Sequence, residues 1–234
     1  MFKLKSKTPP LDFAALTAHQ LKKPLSEMKL SLQMILAGDF GTISAEQKEI
    51  IEKILHSNEI AICLITDLLD MAKIEGKKTL YNRSSVDVVE LIELLISFEH
   101  DALKRKNIVV KLEKPSVVPS VMADRSKLSL AIQNILDNAV KYTPVGGSIT
   151  IGINEHQEGV EIIVKDSGIG ILHDQYKKLF IKFFRGVNAI KMETSGSGLG
   201  LFIAKNIIEG QGGSIRFESE ENRGTTFFIV LPTK

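Results

Sequence analysis

A chain of 234 residues with 44% hydrophobic and 25% charged residues has the balance of a soluble globular protein, one large domain or two modest ones. Its net charge of +2 argues against bulk binding to nucleic acid or to a membrane surface. The one cysteine, Cys63, excludes an intrachain disulfide and a cysteine-based zinc site, and suits a reducing, cytosolic setting.

No apolar run is long enough to span a bilayer and no signal peptide is visible. The abrupt opening MFKLKSKTPP reads as the cut end of a longer protein. Then Leu11, Ala14, Ala18, Leu21, Leu25, Met28, Leu32 and Ile35 follow at alternating spacings of three and four, the seam of a bundle helix. With Leu11 at an a position, His19 takes a b position and faces water. Pro24 removes the hydrogen bond to the carbonyl of Gln20 and crowds it, which predicts a bend just after His19. The glycines of AGDFGTI, residues 37–43, break the pattern. Ser44 and Gln47 then read as a capping box for a second helix running to about Ile74. Its seam is Ile51, Ile54, Asn58, Ala61, Ile65, Leu68 and Ala72, with Cys63 a small core residue in the same run. Asn58 either sets register and oligomer state or is simply exposed. A lone hairpin buries only one stripe per helix, so the remaining apolar surface predicts a dimeric four-helix bundle.

EGKK at 75–78 ends the second helix and predicts a hinge, dividing the chain into domains at 9–76 and 77–234. Beyond it the pattern is mixed: an amphipathic helix over 86–104, β-branched runs at 108–112 and 121–123, and a helix over 126–142. Strands follow at 148–154 and 160–165, then short helices at 173–180 and 198–209. Strands 214–218 and 225–231 close as a hairpin around Asn222 and Gly224. The expected fold is therefore multi-domain: an all-α hairpin followed by an α+β sandwich, one sheet covered by helices.

The chemistry gathers in that second part. In LAIQNILDNAVKYT, residues 130–143, Asn134 and Asn138 lie one turn apart on one helical face, with Lys141 and Tyr142 just beyond. Two carboxamide oxygens can hold a hard cation such as Mg²⁺ beside phosphate oxygens, and a lysine supplies a point charge for phosphate. In DSGIG at 166–170, Asp166 ends an apolar strand and can accept from the amino group of an adenine, although alone the motif reads better as a turn. GSGLG at 196–200 opens a helix, where Gly196, Gly198 and Gly200 leave N–H groups and a positive dipole end for phosphates. It is neither a Walker loop nor a dinucleotide fingerprint. Each motif is weak alone; in this order they specify a nucleotide site.

Residues 130–231 resemble the ATP-binding domain of sensor histidine kinases, the Bergerat fold shared with gyrase and heat-shock chaperones. The resemblance rests on the asparagine motif, DSGIG, FIKFFR at 180–185, and GSGLG. It implies that Asn138 is the main Mg²⁺ ligand and Asn134 its helper, that Lys141 contacts phosphate, and that Tyr142 packs on the base. Asp166 would bind the adenine amino group and Arg185 the terminal phosphate. Gly168, Gly170, Phe180, Gly196, Gly198, Leu199 and Gly200 would complete the ATP site, and residues 170–196 would be a lid. Residues 11–75 resemble the dimerisation and phosphoacceptor domain of the same kinases, with AHQLKKPL at 18–25 as its signature and His19 as acceptor. The implied partners are a second copy of the chain and a response-regulator receiver domain, docking beside His19 near Lys22 and Lys29. The implied setting is the cytoplasm, with a membrane involved only through a missing upstream sensor. His56, His100, His156 and His173 read as ordinary surface or helix residues.

Two positions depart from that family. Gln20 replaces the acid that usually follows the histidine: it can accept from Nδ1–H and fix the tautomer, but it cannot take the proton as a general base. Lys23 replaces the Thr or Asn that orients water for dephosphorylating the regulator, and an ammonium has no acceptor for that water. Weak phosphatase activity is therefore expected. These departures keep open a degenerate nucleotide-binding scaffold without autokinase activity. A clamp ATPase is disfavoured, since Asn134 stands where such enzymes carry a water-activating Glu.

Overall fold

Ser44 marks where the first turn of the chain ends. Its Oγ accepts from Gln47 N at 3.2 Å while Gln47 Oε1 accepts from Ser44 N at 2.9 Å, the predicted reciprocal cap. In the computed structural model, which describes residues 10–75, 81–193 and 196–233, this cap separates α1 (Pro10–Ala37) from α2 (Ala45–Glu75). The side chains at 10–19, 63, 68 and 70–75 lie outside the description, and with them the expected surface position of His19 and core position of Cys63. The hinge expected at 75–78 falls largely on residues 76–80, also outside it. α1 continues as helix through Pro24. The hairpin and the remaining α/β region form two compact units.

Within the hairpin the seam is only partly covered. Leu21 and Met28 are each 49% exposed and Ile54 is 45% exposed. Asn58, by contrast, is buried, which rules out the exposed alternative; its Nδ2 donates to Leu25 O at 2.9 Å. Lys29 and Glu59 pair across the two helices at 2.7 Å.

The second unit is built on a five-stranded sheet in the order β2 (Val109–Glu113), β4 (Ser148–His156), β5 (Gly159–Asp166), β7 (Gly224–Leu231), β6 (Ser214–Glu220). Only β2–β4 is parallel, and the chain between those strands supplies the crossover helix that a parallel pair requires. Alternation buries one face: Ile151 pairs with Val164 and Val164 with Phe227, while Ile153 pairs with Ile162 and Ile162 with Ile229. Against the core pack α3 (Val88–Phe98), α5 (Arg125–Tyr142) and α7 (Gly200–Gly210), through residues such as Leu91, Ile132, Ile135 and Ile203. A separate two-stranded ladder joins β1 (Ser84–Val86) to β3 (Val121–Ala123). The α+β sandwich expected from the pattern is the fold observed. Among the described residues no helix is long and apolar enough to cross a membrane.

Two local expectations need correction. The helix expected over 86–104 is a strand, α3, and a separate α4 (His100–Arg105). Asp87 sets the start by accepting from Val89 N at 2.8 Å and Glu90 N at 3.1 Å, and Glu99 N tightens the end by bonding Ile96 O at 3.1 Å. The helix expected over 173–180 is a shorter 3-10 segment, His173–Lys178. The segment expected as a lid, residues 170–196, contains α6 (Val187–Met192).

Candidate functional site

The site grows from α5. Asp124 caps that helix: its Oδ1 accepts from Lys127 N at 3.1 Å and Ser126 Oγ at 2.8 Å, and its Oδ2 accepts from Asn82 N at 3.0 Å. Burial alone would raise the Asp124 carboxyl, but these bonds outweigh it and hold it below the usual carboxylate range. Asn134 and Asn138 then sit half-buried on one face of the helix, beside the core positions Ile135, Leu136 and Ala139. A Cβ added to Gly200 would lie 3.0 Å from Asn134 Oδ1, so the first residue of α7 packs directly on that carboxamide. Asn134 Nδ2 is buried without a hydrogen-bond partner among the described residues. A buried donor left in that state is costly unless a ligand or water accepts from it.

Asp166 continues the inward alternation of Val160, Ile162 and Val164, so the pleat of β5 aims a carboxylate at the core. Its Oδ1 accepts from Gly168 N at 2.8 Å and Thr225 N at 3.1 Å. Burial pushes its pKa up to about 6, against the pull of the two amides. The glycines that follow are demanded by the protein's own backbone. A Cβ at Gly168 would meet Tyr142 O at 2.5 Å; at Gly170, where φ is +64°, it would meet Glu220 O at 2.0 Å. Ile169 N donates to Tyr142 O at 3.1 Å, tying this turn to the end of α5, where Lys141 and Tyr142 are half-buried.

Gly198 (φ +71°) lets the chain pass beneath residues 183 and 184, since a Cβ there would come within 2.7 Å of their backbone. Leu199 is buried and precedes the start of α7, where no side chain of Leu199 caps the helix; Gly196 also takes a positive φ, +143°. Phe180 sits in an aromatic cluster, 5.9 Å from the Phe217 ring, with Lys205 Nζ 5.1 Å from its own ring. Arg185 donates to the carbonyl of Glu193 across α6, and Asn188 Nδ2 donates to Gly170 O at 2.9 Å. The structure therefore brings Gly200 against Asn134, and the turn after Asp166 against the end of α5, with Arg185 just ahead of α6. His19, Gln20 and Lys23 belong to the hairpin, where Gln20 and Lys23 are exposed. The other histidines are exposed, as expected.

Two features escaped the sequence reading. Lys106 reaches the C-terminal carbonyls of α5 from 34 residues away. Gln133 Nε2 bridges two carboxylates, Glu99 Oε1 at 2.7 Å and Asp137 Oδ1 at 2.6 Å. Burial, and next the Asp137 carboxyl, push Glu99 up to about 7. Among the described residues no three His, Cys, Asp or Glu side chains gather as a metal site.

Residues 11–77 match the family described as His Kinase A (phospho-acceptor) domain. Residues 123–234 match the Histidine kinase-, DNA gyrase B-, and HSP90-like ATPase. The sensor histidine kinase WalK of Bacillus subtilis is 34% identical over 95% of this chain and 36% of its own length. The sensor-like histidine kinase SenX3 of Mycobacterium bovis is 33% identical over 94% of this chain and 53% of its own. The chain thus spans about a third to a half of the length of these curated relatives. Among solved structures, a mycobacterial sensor histidine kinase, MprB, is 30% identical over 65% of this chain and 98% of that one, with a TM-score of 0.54.

Proposed function

The chain belongs to the sensor histidine kinases, and we propose that it acts as their kinase core, binding Mg-ATP in the α/β unit and phosphorylating His19 in the hairpin. The observation that carries the ATP reading is the buried, unpartnered Asn134 Nδ2 beside Gly200, the first residue of α7. A donor in that position suits a phosphate oxygen. Asp166 Oδ2 accepts from the adenine amino group, and Lys141 and Arg185 neutralise phosphate. Tyr142 packs on the base. Phe180 shapes the hinge of the lid from its aromatic cluster, and Gly168, Gly170, Gly196, Gly198, Leu199 and Gly200 form the glycine turns around the ligand.

The residues present fit Mg²⁺, which usually takes only one or two protein oxygens besides waters and phosphates. Asn138, helped by Asn134, would supply them, and the ion would neutralise charge on the transferring phosphoryl group. His19 Nε2 forms the bond to the γ-phosphorus as the bond to the ADP oxygen breaks, with catalysis by positioning and electrostatics. Gln20 accepts from His19 Nδ1–H and fixes the attacking tautomer; the imidazole proton leaves to solvent, since Gln20 cannot hold it. The hairpin dimerises through the seam side chains left exposed in one chain, Leu21, Met28 and Ile54. The phosphoryl group then passes to an aspartate of a response-regulator receiver domain docked near Lys22 and Lys29. Lys23 leaves phosphatase activity toward that partner weak. The domain limits are 9–76 and 77–234.

Gln20 also supports a second reading, a dimeric nucleotide-binding scaffold without autokinase activity. Incubation with labelled Mg-ATP separates the two, with His19→Ala and Gln20→Glu alongside. Acid-labile, base-stable label on the parent and none on His19→Ala is the expected result. No label on the parent but label on Gln20→Glu would mean that the missing base silences an intact kinase. ATP binding with no label on either would establish the scaffold.

A further inference from the structure

An α-helix ends in four carbonyls that lack intrahelical donors. In α5 these belong to Ala139, Val140, Lys141 and Tyr142, and all four are satisfied. Ala139 O accepts from Thr143 N at 3.1 Å, and Tyr142 O accepts from Ile169 N at 3.1 Å. The other two depend on one side chain: Lys106 Nζ lies 2.8 Å from Val140 O and 2.7 Å from Lys141 O. A third bond reaches Thr143 O at 3.3 Å. An ammonium has three donors, so these carbonyls use its full capacity. Its charge also sits at the negative end of the helix dipole.

The backbone holds Lys106 in place for this task. Its own carbonyl accepts from Gly146 N at 2.8 Å, and Asn107 after it takes a φ of +49° to turn the chain toward β2. The ammonium is part-buried, and burial pushes it below the ordinary lysine range while the Glu193 carboxylate opposes that shift.

We infer that Lys106 is a positioning residue for the nucleotide site: it fixes the last turn of α5, and so the stance of Lys141, Tyr142 and the Gly168 turn bonded to Tyr142 O. It touches no substrate itself. The inference rests on the ATP-binding reading of that site. Loss of charge-assisted bonds and a small displacement of ligand-binding groups together predict about a tenfold weaker grip on nucleotide.

The test uses the whole chain as parent, Lys106→Met and Lys106→Arg, titrated with a fluorescent ATP analogue and followed by amide hydrogen exchange. Lys106→Met should bind the analogue about tenfold more weakly. Exchange should accelerate at 140–143 and 169 but not in β4 or β5. Lys106→Arg, which keeps a cation at the helix end, should recover most of the affinity. Analogue binding by Lys106→Met within twofold of the parent would overturn the inference, as would a folded Lys106→Arg that recovers nothing. Global unfolding of both variants would make Lys106 a general structural residue and overturn it equally. A parent that fails to bind the analogue breaks the ATP reading itself, an outcome distinct from a parent and Lys106→Met that bind alike.

Discussion

The two units bury opposite things. Among the described side chains of the hairpin, the one that is buried is a carboxamide, Asn58, while Leu21, Met28 and Ile54 stay close to half exposed. In the α/β unit three helices and one sheet face close over aliphatic side chains, and the buried carboxylates Asp124 and Asp166 are held by hydrogen bonds. A seam of period 3.5 on two helices has nowhere to go within one chain, whereas a sheet face and a helical layer satisfy each other. The hairpin is thus an unfinished core, which the proposed second copy would complete, and the α/β unit is finished except for the proposed ligand.

The largest way to break this contrast is to charge the seam. Leu21→Glu with Met28→Glu should convert a dimer to a monomer in sedimentation, because each unpaired charge buried at a dimer seam costs about 3–5 kcal/mol. ATP-analogue binding should be untouched, and a dimer that persists would defeat the contrast. Next comes the pH dependence of the ligand site. In its proposed role Asp166 accepts more strongly from the adenine amino group as a carboxylate than as a carboxylic acid, and its pKa stands at about 6, so ATP affinity should be flat near neutral pH and fall as pH drops through about 6. The effect on stability runs the other way. A carboxyl raised in the folded state penalises folding once ionised, so this contribution is lost as pH rises through about 6 and is recovered below it. Asp166→Asn should bind weakly at every pH, and a parent whose affinity ignores pH between 5 and 7, on the order of one unit either side of that value, would remove Asp166 from the site.

A smaller effect tests the finished core. Asp124→Ala removes the cap of α5 and the acceptor for Asn82 N, and should lower unfolding stability by about 1–2 kcal/mol in calorimetry, in the α/β transition alone. The smallest concerns the Glu99–Asp137 pair. Because Glu99 is raised to about 7, first by burial and then by Asp137, its ionisation opposes folding as pH rises through that value. Asp137→Asn should therefore raise the melting temperature slightly in mildly alkaline buffer and leave it unchanged in acid.

Much of this was legible locally. The alternating spacing from Leu11 onward announced α1, Ser44 and Gln47 announced the start of α2, and the β-branched runs announced the strands. The asparagine pair, Asp166 and the glycine turns were legible as residue types suited to one ligand. Less legible were the breaks that depend on a cap: Asp87 splits a strand from α3, and Glu99 separates α3 from α4, where amphipathic periodicity alone reads as one helix. The reason for the glycines was also hidden, since Gly168 answers to Tyr142 O and Gly200 to Asn134, each distant in sequence.

The sequence by itself determined the elements, the order of the units and the chemistry of the site, because periodicity, caps and turn residues act within a few positions of themselves. Tertiary structure alone decided which groups meet. Asn58 closing on Leu25 O, Gln211 Oε1 accepting from Asp124 N, and Lys106 reaching the end of α5 are bonds between partners 33 or more residues apart. No local pattern encodes them, because the energy of a buried donor depends on which carbonyl the fold brings within reach.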